Sequence, residues 1–202
     1  MPRRPSRVYQ FKITLRDITP AIWRRIQIEE DSSFWGLHVA IQDAMGWLDC
    51  HLHAFRVRNP STGAEEMVGI PADDGFGDPF LPGWELFVAD YFTTAGETAM
   101  YEYDFGDGWE HEVVLEEVVA STPRGRYPRC LAGERACPPE DCGGVGGYED
   151  FLKIIADPSH DEHEEMLEWA GGKFDPEAFD SKKVRFDDPG KRFQRAFGGE
   201  VL

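Results

Sequence analysis

The pattern that most constrains the fold is a strict alternation of apolar and polar residues near the start of the chain. Apolar side chains occupy odd positions in residues 9–15 and even positions in residues 22–28. Successive side chains of a strand point to opposite faces, so each segment is typical of a strand with one buried face. The two apolar faces coincide only in an antiparallel hairpin whose paired residue numbers sum to an odd value. The sequence therefore predicts that Tyr9 pairs with Ile28, Phe11 with Ile26, Leu15 with Ile22, and Ile13 with the polar Arg24.

A helix and a further strand are predicted after this hairpin. Ser32 or Ser33 can cap the helix, Gly46 can end it, and the apolar residues between them recur at helical spacing. A strand-like segment covers residues 51–57. Residues 59–84 are rich in Gly, Pro and Asp, so we expect a long loop, which is either a functional lid or a segment that contains a short element.

A second hairpin is predicted over residues 100–116. Apolar side chains occupy odd positions in both arms, so paired residue numbers must sum to an even value, which excludes a two-residue turn at Asp107-Gly108. The pattern favours a three-residue loop in which Gly108 has a positive φ. In that register Tyr103 lies opposite His111.

The second half of the chain predicts short helices. They cover residues 148–155 and 163–170. The remainder is irregular. Its last residues, 190–202, carry a small basic cluster, and we expect them to be partly disordered. Together the elements predict one compact α+β domain over residues 1–202. It has a mainly antiparallel sheet, an opening hairpin–helix–strand unit and C-terminal helices.

The charge and the hydropathy of the chain exclude several classes of protein. Asp and Glu number 38 against 21 Lys and Arg, a formal net charge of −17. Such a surface repels nucleic-acid phosphates, so we do not expect nucleic acid as a partner. No apolar run approaches the roughly 18 residues that span a bilayer. The basic start leads into a polar strand pattern instead of an apolar signal core. We therefore expect a cytoplasmic protein without a membrane partner.

Acidic residues are concentrated in one segment. Residues 134–168 hold eleven carboxylates against Arg135 and Lys153. The segment is either a binding face for a basic protein partner or a solvated acidic surface that aids solubility.

Three histidines are candidate metal ligands because each is predicted on an apolar strand face. His51 and His53 are two residues apart on one strand, where side chains point the same way about 6–7 Å apart, and His111 lies on the second hairpin. The alternative is that each is a buried, hydrogen-bonded core residue, with His53 and His111 close to each other across the sheet. A carboxylate for the metal could come from Asp104, Asp107 or Glu110.

Three cysteines are the second candidate metal site, with zinc as the cofactor. Cys130, Cys137 and Cys142 lie in a Pro- and Gly-rich segment, and His160 or His163 could complete a tetrahedron. Their spacing, with six and then four intervening residues, differs from the Cys-x2-Cys of zinc ribbons. The alternative, which this spacing favours, is three reduced thiols without metal.

Four segments of the chain form a familiar set of motifs. They are YQFKITLRDITPAIWRRIQI (9–28), GWLDCHLHAF (46–55), YDFGDGWEH (103–111) and YPRCLAGERACPPEDCGGVGGY (127–148). In this order they resemble the plasmid pRiA open-reading-frame-three-like family, also described as TnpR-like insertion-sequence passenger proteins, and the match runs from about residue 9 to residue 180. The resemblance implies an α+β domain with no assigned molecular function and a plasmid or mobile-element context.

Three functions remain open from the sequence. The leading hypothesis is a cytoplasmic, non-catalytic binding or adaptor protein. The second is a metal-dependent enzyme in which His51, His53 and His111 hold an ion whose bound water is the nucleophile. The third is DNA recombination, as the TnpR label suggests, but the acidic charge and the lack of a basic recognition helix argue against a resolvase.

Overall fold

The structure is a computed structural model that describes residues 7–71, 80–122 and 124–198. Within these ranges an eight-stranded sheet of order β5-β4-β3-β6-β7-β1-β2-β8 carries five helices. All neighbouring strands are antiparallel except β4 and β5, so the predicted α+β class is confirmed. The elements are β1 (Arg7–Leu15), β2 (Trp23–Glu29), α1 (Phe34–Met45), β3 (His53–Arg58), β4 (Glu65–Gly69), β5 (Leu81–Pro82), α2 (Val88–Tyr91), β6 (Thr98–Tyr103), β7 (Trp109–Ala120), β8 (Arg129–Glu134), α3 (Gly144–Ala156), α4 (His163–Trp169), a 3₁₀ turn (Ser181–Lys183) and α5 (Pro189–Phe197).

The first hairpin has the predicted register. Tyr9 pairs with Ile28 and Phe11 with Ile26, and their side chains are buried in the core. Arg24 lies opposite Ile13 as predicted, and its guanidinium is buried. It donates to backbone carbonyl oxygens of Trp23, Ala44, Glu134 and Arg135, each at 2.8 Å. A buried cation is tolerated here because its donors are satisfied.

Helix α1 begins and ends where its capping residues predict. Ser33 is the N-cap and its Oγ accepts a hydrogen bond from the Gly36 amide at 3.1 Å. Gly46 ends the helix with φ +99°, a conformation that glycine adopts without steric cost. The apolar side of the helix packs on the sheet and supplies much of the core, including Phe34, Leu37, Ile41 and Ala44.

The second hairpin has the predicted parity but a different register. Tyr101 pairs with His111 and Tyr103 with Trp109, so the predicted three-residue loop and the pairing of Tyr103 with His111 are wrong. Five residues, 104–108, form the loop, which closes through a hydrogen bond from the Gly108 amide to the Asp104 carbonyl at 2.6 Å. Gly108 has the predicted positive φ, +67°, and Asp104 also takes a positive φ, +55°. That second left-handed residue is what lengthens the loop.

Two regions differ from the sequence predictions. The strand predicted from residue 51 begins at His53, because residues 49–52 form a loop in which Asp49 has φ +59°. The predicted long loop at 59–84 contains the short strands β4 and β5, and residues 72–79 lie outside the described residues.

The end of the described chain is helical. Residues 190–197, which we expected to be partly disordered, belong to α5, whose N-cap Asp188 accepts from the Lys191 amide at 3.1 Å. Phe193 and Phe197 of this helix pack edge-on against Trp35, with ring centroids 5.8 and 5.6 Å away. Residues 199–202 lie outside the described residues. No helix in the described ranges combines the length and the apolar character that crossing a membrane requires.

Candidate metal centre

Three loops meet at one end of the sheet. They are residues 47–52 between α1 and β3, residues 104–108 between β6 and β7, and residues 138–144 between β8 and α3; we call them the site loops. Each site loop is hydrogen-bonded to both of the others, so the three form one unit. These bonds are Trp47 Nε1 to Pro138 O (3.0 Å), Leu48 N to Glu140 Oε1 (2.6 Å), Asp104 N to Leu52 O (2.9 Å) and Gly143 N to Asp107 Oδ2 (3.0 Å).

His51 lies where the site loops converge. Its Nε2 is 2.9 Å from Asp141 Oδ1 and 3.6 Å from Asp104 Oδ2, with Glu140 Oε2 at 4.0 Å. The ligand atoms of His51, Asp104 and Asp141 all lie within 4.8 Å of one another. One imidazole nitrogen and two carboxylates, each from a different loop, therefore surround a single position.

The backbone at the two aspartates aims their side chains at this position. Asp104 and Asp141 have φ +55° and +56°, a region that few residues other than Gly, Asn and Asp enter and that is enriched at functional sites. Asp104 Oδ1 accepts a hydrogen bond from the Gly106 amide at 2.9 Å. That bond fixes the carboxylate and leaves Oδ2 facing His51.

Glu140 connects its own site loop to the loop at 47–52 and to the end of β6. Its carboxylate accepts hydrogen bonds from the Leu48 amide and, at 3.2 and 3.3 Å, from the Tyr103 hydroxyl. Tyr103 Oη in turn accepts from the Cys50 amide at 3.1 Å. Burial raises the pKa of Glu140 above that of an exposed carboxyl, and burial likewise raises the pKa of Tyr103, which is therefore a neutral proton donor at physiological pH.

The negative charge of the carboxylates around this position favours the binding of a cation. In the described part of the chain no lysine or arginine forms an ion pair with Asp104, Glu140 or Asp141. His51 Nε2 is buried and, among the described residues, makes no hydrogen bond despite the nearby carboxylates. Neighbouring carboxylates repel one another unless a proton or cation lies between them. A nitrogen and two or three carboxylate oxygens suit divalent transition metals such as Zn²⁺ and Mn²⁺.

His53 and His111 lie elsewhere, in the core. Both are buried, as their predicted positions on apolar strand faces led us to expect, and they flank Tyr101 with ring centroids 6.1 and 5.3 Å from it. His111 Nδ1 donates to the Tyr101 carbonyl at 3.2 Å. His53 Nδ1 has no partner among the described residues. The structure thus does not bring His51, His53 and His111 together around one ion.

The cysteines do not form a joint ligand set either. Among the described residues, the groups of donor atoms close enough to share an ion contain none of Cys130, Cys137 and Cys142. All are free thiols. Burial raises the pKa of Cys137 and raises that of Cys142 to about 12, so both groups are protonated thiols in the metal-free protein. The nearest cysteine to the centre is Cys50, which forms a group with His51 and Glu140.

Glu140 and Asp141 were not among the residues that sequence reasoning selected. They appeared only as part of an acidic segment, about ninety residues from His51. One sequence signal did point to them, because the site loops fall within three of the four segments on which the family resemblance depends.

The comparisons with known proteins agree with the resemblance. A curated relative, the uncharacterized protein y4hQ of Sinorhizobium fredii, is 34% identical over 185 residues, which cover 91% of this chain and 89% of the relative. The crystal structure of MM3350, a protein of unknown function from Methanosarcina mazei Go1, matches with a TM-score of 0.82 and 44% identity over 91% of this chain and all of that one. Residues 7–183 match the family described as plasmid pRiA4b ORF-3-like protein. The chain therefore belongs to the plasmid pRiA4b ORF-3-like family.

Proposed function

We propose that this protein is a metal-dependent enzyme that binds one divalent transition-metal ion through His51, Asp104 and Asp141. One observation carries the proposal. The buried Nε2 of His51 makes no hydrogen bond among the described residues, yet it faces carboxylate oxygens from two other loops at 2.9 and 3.6 Å. An ion at this position would accept the lone pair of His51 Nε2 and neutralise the carboxylates.

The exposure of the site favours a catalytic centre over a structural one. Structural zinc sites are closed by four protein ligands, whereas catalytic sites have three and leave a position for water or substrate. His51 is partly exposed and Asp141 is exposed, so the proposed ion would lie near the surface. A bound divalent ion lowers the pKa of its water to about 7. The reaction class that this arrangement supports is metal-assisted hydrolysis, with Glu140 beside the ion to accept a proton.

Metal analysis of the purified protein tests the proposal. Protein prepared without chelator should contain about one equivalent of Zn²⁺ or Mn²⁺ by elemental analysis. Titration calorimetry of the metal-stripped protein should show that Asp104→Asn and His51→Gln each weaken binding at least tenfold. His160→Gln is the matched control, since His160 is exposed and outside the site loops, and it should bind like the parent protein.

Two results would contradict the proposal. One is the absence of any Zn²⁺ or Mn²⁺ binding tighter than millimolar. The other is binding that Cys137→Ser abolishes and Asp104→Asn leaves unchanged, since that would place the ion at the cysteines.

A non-catalytic binding role is the second candidate function. Three large apolar side chains next to the centre are exposed: Leu48 by 79%, Leu52 by 52% and Phe105 by 44%. Exposed apolar side chains grouped in one place are typical of contact surfaces. A metal-loaded protein that binds ligand but hydrolyses no ester, amide or phosphoester probe would favour this role over catalysis.

A further inference from the structure

A cavity opens directly beside the proposed metal centre. It has a volume of about 280 Å³ and lies between α3 and α4, with Asp141 in its wall. Because Asp141 belongs to both, a molecule in the cavity would lie beside a ligand of the proposed ion. A cavity of roughly 150 Å³ is large enough for a benzene ring, so the volume suits an aromatic or branched aliphatic group.

The inner wall of the cavity is apolar. Phe151 and Ile154 line it from α3, and Met166 and Trp169 line it from α4. Phe151 and Trp169 meet edge to face, with centroids 5.8 Å apart and planes at 72°. Helix α4 contains no buried residue and Trp169 is 46% exposed. Covering these side chains would be favourable by the area removed from water.

The polar groups in the wall of the cavity are acidic. Asp141 and Asp150 are the charged residues that line it, and both side chains are well exposed. Lys153 pairs with Asp150 at 2.7 Å on the outer surface, and such exposed pairs are weak. Asp141 has no such lysine or arginine partner among the described residues. With a chain charge of −17, the field at this mouth attracts cations.

We propose that the cavity is a binding site for a small primary amine that carries an aromatic or branched aliphatic group. The apolar group fills the space between α3 and α4. The ammonium group lies at the mouth beside Asp150, whose exposed pair with Lys153 is weak, while Asp141 stays with the proposed ion. This inference deepens the proposed function, because it names the substrate class as a cationic, apolar amine derivative whose reacting bond would face the metal centre. An apolar pocket with a few placed polar groups is the usual form of a small-molecule site.

A pair of probes of opposite charge tests the inference. We expect 2-phenylethylamine to bind with a dissociation constant below about 1 mM at low salt and phenylacetate to bind at least fivefold more weakly, as measured by ligand-observed NMR. Trp169→Ala should weaken amine binding at least fivefold, and Met166→Ser should weaken it as well. Phe87→Ala is the matched control, because Phe87 is an exposed phenylalanine outside the cavity.

The outcomes separate this inference from the proposed function. Amine binding that Trp169→Ala weakens, seen in both metal-stripped and metal-treated protein, supports the cavity site even if no metal is ever found. Equal binding of phenylacetate and the amine would overturn the inference. So would amine binding that Trp169→Ala and Met166→Ser leave unchanged in folded protein, and so would no amine binding by a protein that holds its metal.

Discussion

The imidazole rings of His38 and His53 lie face to face in the core, with centroids 3.4 Å apart and planes 7° from parallel. Both residues are buried. Burial lowers the pKa of His53 well below its usual value, and the neighbouring His38 lowers it further. Burial also lowers the pKa of His38, although its hydrogen bond with Asp49 opposes the shift. Two charged rings at this distance would repel each other without water between them, so the folded protein holds both rings neutral.

These buried histidines predict that the protein loses stability in mild acid. The unfolded chain takes up protons near pH 6.5, whereas the folded core does not, so the free energy of unfolding falls as the pH drops below about 6.5. For His111, whose pKa burial lowers to about 4, the loss should reach about 3 kcal/mol by about pH 4. His53→Phe should flatten this dependence, as measured by urea unfolding at pH 7, 5.5 and 4.5.

The exposed His160 provides the control for this experiment. His160→Gln should leave the pH dependence of unfolding unchanged, since this exposed side chain lies outside the core. If His53→Phe had the same pH dependence as the parent protein, the neutral histidine core would be refuted.

We expect substitution by alanine to have opposite effects on stability at two glycines in the first turn of α3. A Cβ at Gly144 would lie 2.5 Å from the Asp107 carbonyl oxygen, and the residue has φ +68°. A Cβ at Gly146 would meet nothing within 4 Å. Gly144→Ala should therefore destabilise the protein by about 2 kcal/mol or more and weaken metal binding, because it pushes one site loop from another. Gly146→Ala should be neutral or stabilising by about 0.5–1 kcal/mol.

Urea unfolding and metal titration of the two variants measure this difference. Equal stabilities for Gly144→Ala and Gly146→Ala would show that the close contact between the loops at 104–108 and 138–144 does not exist in solution.

Two arginines of α5 differ in how strongly we expect them to stabilise the packing of this helix on the domain. Arg192 lies between three carboxylates, at 2.6 Å from Asp43, 3.4 Å from Asp49 and 2.9 Å from Asp187. The first two carboxylates are mostly buried, so Arg192→Met leaves them without a cation and should cost about 2 kcal/mol. Arg195 forms an ion pair with Asp187 alone among the described residues and is exposed, so Arg195→Met should cost less than about 1 kcal/mol.

Thermal unfolding of the two variants at one pH checks the prediction. A matching decrease in melting temperature for Arg192→Met and Arg195→Met would mean that the buried carboxylates do not depend on Arg192. Because Asp49 lies two residues before His51, Arg192→Met should also weaken metal binding, whereas Arg195→Met should not.

Local rules in the sequence were sufficient for the elements near the start of the chain. The parity of the apolar faces determined the register of Tyr9 with Ile28, because a shift by one residue would expose every core side chain of the strand. Ser33 and Gly46 determined the ends of α1, because each satisfies a backbone requirement within its own turn. Parity was insufficient for the second hairpin. A loop of three and a loop of five residues bury the same faces, and the left-handed Asp104 decided between them.

The candidate site depends on contacts that no local rule describes. His51 was identified from its residue type, but its partners Asp104, Glu140 and Asp141 come from other loops that only the pairing of β3, β6 and β7 and the position of α3 bring near it. Likewise Phe193 and Phe197 belong to a short, charged segment that does not predict a stable helix alone, because isolated helices of this length are marginal in water. Packing against Trp35 stabilises α5. The sequence by itself therefore determined the first hairpin with its register, the presence of the second hairpin, the first helix and the family. The tertiary structure decided which histidine faces carboxylates and which lie in the core, because that depends on side chains far apart along the chain.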